Sequence, residues 1–143
     1  MTDWKLKPAD PEKITINLGH VDLGQIDLLV QEGFYSNRTD FIKTAIRAQL
    51  VTHAEVVKQT VARRTLVLGL QDYSKADLER ARKAGSKLRI QVVGLVRIAP
   101  DVSPTLALNT IESIAVLGAL NASPAVKAAL ADRITYTTRR NPQ

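Results

Sequence analysis

Near the start of the chain, Lys13 Ile14 Thr15 Ile16 Asn17 Leu18 alternates polar with apolar side chains without a break. Along an extended chain successive side chains point to opposite faces. Lys13, Thr15 and Asn17 therefore share one face, and Ile14, Ile16 and Leu18 share the other. The polar trio matches the chemistry of base edges in the DNA major groove. Lysine donates to guanine acceptors, asparagine pairs with adenine, and threonine offers a hydroxyl or a methyl. A two-stranded ribbon is narrow enough to enter that groove. The same three residues would also suit the solvated face of an ordinary strand, so the flanking elements decide between the two uses.

Gly19 and His20 end the alternating segment. From Val21 to Glu32 the apolar residues Leu23, Ile26 and Val30 fall on one helical stripe, which Gly33 stops. Ser36 is placed to cap a second helix by accepting from the backbone N–H of Arg38 or Thr39. Ile42, Ile46 and Leu50 form the stripe of that helix, and Ala54, Val57 and Val61 continue it. The pattern predicts either one helix to about Arg64 or two joined near Thr52. One strand and two helices in about 40 residues cannot bury a sufficient core alone. Dimerisation is implied. The economical arrangement pairs the strands of two chains as an antiparallel ribbon, turning Ile14, Ile16 and Leu18 inward onto four helices and the polar trio outward.

The strand Lys13–Leu18, the turn Gly33 Phe34 Tyr35 Ser36 and the following Asn37 Arg38 Thr39 Asp40 Phe41 Ile42 resemble the ribbon-helix-helix DNA-binding family of the CopG, Arc and MetJ type. The resemblance implies that Lys13, Thr15 and Asn17 contact bases. It also implies that Ser36, Asn37 and Arg38, at the start of the second helix, hold a DNA phosphate, where free N–H groups and the helix dipole favour an anion. The expected partners are double-stranded DNA, through its major groove, and a second copy of the chain, with a higher oligomer open. A transcriptional regulator, repressing by resemblance, is the leading reading. An antitoxin or plasmid-partition protein would use the same head. A structural self-assembling protein would use the ribbon only to dimerise.

The second half carries three similar glycine sites, Val67 Leu68 Gly69 Leu70, Val92 Val93 Gly94 Leu95 and Val116 Leu117 Gly118 Ala119, spaced 25 and 24 residues apart. Each precedes a helix start: Ser74 with Asp77, Ser103 with Pro104, and Ser123 with Pro124. Ile134 to Thr137 supplies a final strand. A strand and a helix at this period suggest stacked, solenoid-like units with the glycines at strand-to-helix turns. A small α/β domain with coincidentally spaced glycines is the alternative. The expected class is therefore α+β: an arm over 1–12, a ribbon-helix-helix domain over 13–52, a helical extension or linker over 53–64 and a strand-helix repeat over 65–143 that oligomerises or senses an effector.

The net charge of +6 suits polyanionic partners. Up to Arg64 there are 9 basic and 8 acidic residues, and from Thr65 onward 11 and 6, so the excess lies in the second half. Lys5 and Lys7 in the arm could add backbone contacts, while the cluster Arg80, Arg82, Lys83, Lys87 and Arg89 reads either as a further nucleic-acid patch or as a solvated helix face. Trp4 reads as a loose packing contact. The two histidines, His20 and His53, belong to no metal-ligand pattern, and no nucleophile elbow or phosphate-binding loop is present. No metal, cofactor or enzymatic activity is expected. The absence of cysteine, of a signal-like start and of an apolar run of about 18 residues points to a cytoplasmic protein without a membrane span.

Overall fold

The computed structural model describes residues 11–136. They fall into two compact units that divide between Thr60 and Val61.

In the first unit, residues 11–19 belong to neither helix nor strand, and α1 (His20–Gln31) follows. Asp22 in its first turn suits the positive end of the helix dipole. Gly33, at φ 83°, ends it. The N–H of Gly33 donates to Val30 and that of Phe34 to Leu29, so the last carbonyls are satisfied through a left-handed residue that glycine adopts without steric cost. Next come α2 (Arg38–Thr52) and α3 (Ala54–Arg63), separated at His53. Of the two alternatives, the chain takes two helices rather than one.

The strand expected at Lys13–Leu18 does not form within the single chain. A strand requires a hydrogen-bonded neighbour, and among the described residues the first unit contains no other strand. The sheet of this protein lies wholly in the second unit, and it is parallel, not an antiparallel ribbon.

That sheet has the order β1 (Val67–Tyr73), β2 (Leu88–Ile98), β3 (Ile111–Asn121), β4 (Ile134–Tyr136). Each connection contains one helix: α4 (Lys75–Lys83), α5 (Pro104–Thr110) and α6 (Pro124–Ala129). The expected caps are in place. Ser74 accepts from Asp77 in a reciprocal capping box, Ser103 accepts from Leu106, and Ser123 accepts from Val126. Pro104 and Pro124 occupy first-turn positions, where a missing N–H costs nothing.

Alternate residues of the strands build the core: Ile90, Val92, Val96 and Ile98 with Ile114, Val116 and Leu120, closed by Leu78, Leu106, Ala107 and Val126 from the helices. Fully burying one such side chain contributes about 1.5–3 kcal/mol. Charged groups finish what the core leaves open. Arg97 and Asp72, register partners on β2 and β1, form a two-point ion pair at 2.6 and 2.9 Å. Lys87 donates to the carbonyl of Asn109, and Arg133 to those of Leu108 and Ile111, which places cations at the negative end of α5.

The three glycines sit within strands, not at the strand-to-helix turns. They are direct register partners, Gly69 with Gly94 and Gly94 with Gly118. Their φ values are 130°, 139° and 121°, a region that disfavours side chains. A Cβ on Gly94 would lie 2.1 Å from the carbonyl oxygen of Gly69, and one on Gly118 equally close to that of Gly94. Around the Cβ position of Gly69 there is open space. Gly69→Ala should therefore cost only the backbone strain, about 1–3 kcal/mol. Gly94→Ala and Gly118→Ala must also displace a strand, and thermal unfolding should show a clearly larger loss for both. Equal losses at all three positions would mean that the carbonyl stacking does not limit the sheet.

Candidate nucleic-acid interface

Ile14, Ile16 and Leu18 line an open groove together with Ile26 and Leu29 of α1 and Phe41, Ile42 and Ile46 of α2. Thr15 and Asn17 are not part of its lining, while Lys13 reaches its rim. The alternation in sequence thus becomes a two-sided segment in space, with Ile14, Ile16 and Leu18 on the groove and Thr15 and Asn17 off it. The apolar side remains uncovered in the single chain. Ile14 is 72% exposed and Ile16 54%, and Ile26 is the one buried apolar residue of the first unit among the described residues. Water contact on this scale is costly for aliphatic side chains.

The turn between α1 and α2 differs in detail from the sequence expectation. Asn37, not Ser36, caps α2: its Oδ1 accepts from the N–H of Asp40 at 2.8 Å. The Asp40 carboxylate reaches back and accepts from the Ser36 N–H at 2.9 Å. The cap thus falls one residue later, and the pattern Asn-x-x-Asp that produces it stands in the sequence at capping-box spacing. Tyr35 meets Phe41 edge to face, with ring centroids 5.0 Å apart, and holds the turn against the helix.

Arg38 pairs across the two helices. Its Nε and Nη2 donate to the two carboxylate oxygens of Asp27 on α1, each at 2.8 Å. The Asp40 carboxylate, nearer in sequence, is occupied by the turn itself. Hydrogen bonding from Arg38 holds the Asp27 carboxyl below the usual aspartate range, and the same bonds raise the guanidinium of Arg38. Arg38 Nη1 makes no hydrogen bond among the described residues. All six residues expected at the interface, Lys13, Thr15, Asn17, Ser36, Asn37 and Arg38, are exposed. The arm residues Trp4, Lys5 and Lys7, and Thr137 at the other end, lie outside the described residues.

Of the basic cluster in the second unit, Arg89 pairs with Glu112, Arg80 with Asp77, and Lys87 with a backbone carbonyl. Much of that charge serves local structure. Among the described residues there is no group of three or more potential metal ligands, and no helix is long and apolar enough to cross a membrane.

The uncovered apolar groove, the two-sided segment before it and the capped turn between paired helices define the class to which the fold points. Residues 9–127 match the family described as the ribbon-helix-helix transcriptional regulator family. The chain belongs to that family, and its match extends from the first unit through α4 and α5 into α6. No curated protein and no solved structure matches the chain.

The Asp27–Arg38 pair makes a prediction about acid. A depressed carboxyl contributes stability that is complete above the ordinary aspartate pKa of about 3.9 and is lost as pH falls through the lower folded value. Both side chains are half-exposed, so the effect is small. Arg38→Ala should unfold with a shallower dependence on pH below about 4 than the unsubstituted chain. Identical acid profiles would show that the pair does not couple α1 to α2.

Proposed function

We propose that the protein is a homodimeric, sequence-specific repressor of transcription that reads double-stranded DNA with a ribbon formed by residues 13–18 of two chains. The observation that carries this reading is the row Ile14, Ile16, Leu18, which borders an apolar groove but stays exposed, in a segment with no strand partner among the described residues. A second copy of the same segment supplies both missing parts: backbone partners for the strand and apolar cover for the groove. Pairing two copies antiparallel leaves Lys13, Thr15 and Asn17 of each on the outer face, where they meet base edges. At the α2 start, Ser36, Asn37 and Arg38 contact phosphate, with Nη1 of Arg38 as the donor not engaged by Asp27. The Asp40 carboxylate close to this site makes the contact a positioning one, not a strong anion pocket.

The second unit, in this reading, is a short solenoid of stacked strand-helix units. In-register glycines, the 25- and 24-residue spacings and the repeated serine caps support it.

Two measurements test the proposal. A dimer inseparable from folding should melt at lower temperature on dilution, and a concentration-independent monomer with full helix content would overturn it. A preferred site can be selected from random duplexes. Asn17→Ala should weaken binding to that site by about 1–3 kcal/mol and leave binding to random-sequence DNA nearly unchanged. Should the triple substitution Lys13→Ala, Thr15→Ala, Asn17→Ala give a folded dimer with unaltered base preference, the ribbon is not the reading head.

A further inference from the structure

Among its described residues the second unit exposes three large apolar side chains, Val67 at 43%, Leu68 at 61% and Leu70 at 49%, and all three belong to β1. β1 is an edge strand of seven residues, hydrogen-bonded to β2 on one side only among the described residues. The opposite edge strand, β4, has three. Soluble proteins shield sheet edges by keeping them short or by placing lysine, proline or an inward-pointing charge on them. β4 is short. Along Val67–Leu70 there is no charge and no proline, and the one charged residue of β1, Asp72, is engaged by Arg97. Gly69 adds a second asymmetry, since it adopts the same positive φ as Gly94 and Gly118 but has nothing within 4 Å of its Cβ position. The edge has the backbone shape of an interior strand and lacks the neighbour.

We infer that β1 pairs antiparallel with β1 of a second copy of this chain, centred near Gly69, so that Leu68 lies opposite the partner subunit's Leu70. This inference rests on the dimeric head proposed above. A second copy is the occupant that the chain itself points to. α3 ends at Arg63 and β1 begins at Val67, so a dimer joined at the head carries two β1 strands within one particle. A partner already in the same particle is met without a further association step, which a free partner requires. A two-fold dimer also makes the contact self-complementary, since the same edge serves both subunits. Leu68 and Leu70 project to the same side of the strand, and in this register the four leucines of the pair form one apolar patch. Parallel stacking of β4 on β1 of another copy would generate an open filament, whereas the two-fold pair closes.

The chain contains no cysteine, so introduced thiols report without background. In full-length Leu68→Cys, Leu70→Cys, mild oxidation of the native protein should give a covalent dimer at a rate independent of protein concentration. Lys75→Cys, exposed on α4, should not cross-link at that rate. Sedimentation of the unsubstituted chain is run in parallel. A dimer by sedimentation that fails to cross-link overturns the β1 pairing and leaves the head intact. Cross-linking whose rate rises with concentration, or which joins dimers into tetramers, overturns it as well. A monomer by sedimentation overturns the head and this inference together. Amide exchange of the unsubstituted dimer gives a reading free of substitution: the β1 amides directed away from β2 should be protected at least about 10-fold over those of a free edge. Exchange at free-edge rates would refute the pairing.

Discussion

A β-strand exists only against a neighbour, and this constraint governs both halves of the molecule. In the second unit the chain supplies the neighbours itself, because each helical connection returns the backbone to the same direction and the next strand adds alongside the last. In the first unit it does not. An alternating segment of six residues, 13–18, has helices to pack on but no strand to bond with. The exposed aliphatic row at the head and the open edge at β1 express the same deficit, and a second copy of the chain can relieve both.

The parallel sheet is held in phase by features too small to bury much area. Where two strands carry glycine at matching register, the carbonyl of one occupies the space that a Cβ would take on the next. This excludes a shift of one residue more firmly than aliphatic packing would, since aliphatic residues flank each glycine and could interchange. Serine caps then start each helix at a fixed distance beyond the strand, and Lys87 and Arg133 close the end of α5. The abundance of basic residues in this half is partly explained by such structural duties. Net charge alone is therefore a poor guide to where an anion would bind.

In the head, the turn between α1 and α2 concentrates its polar groups on one another. Asn37, Asp40 and the Ser36 N–H form a closed exchange of hydrogen bonds, while Asp27 draws two of the donor nitrogens of Arg38. Such a turn is rigid before any ligand arrives. Rigidity suits a positioning contact, since a group already held in place loses little entropy on binding.

The sequence by itself determined the helices, the caps of α4, α5 and α6, and the period of the second half. These depend on short-range chemistry: Gly33 can take the left-handed conformation that ends α1, and serines with a carboxylate or a proline behind them start α4, α5 and α6. The two-sided character of 13–18 was equally legible, because alternation needs no partner to be read. Tertiary structure alone decided three matters. It put Gly69, Gly94 and Gly118 inside strands instead of at turns, because only cross-strand register reveals which backbone atoms they must admit. It joined Arg97 to Asp72 across β2 and β1, register partners 25 residues apart in sequence. And it gave Arg38 to Asp27, eleven residues away, a choice that depends on how α1 and α2 pack and that no local spacing encodes.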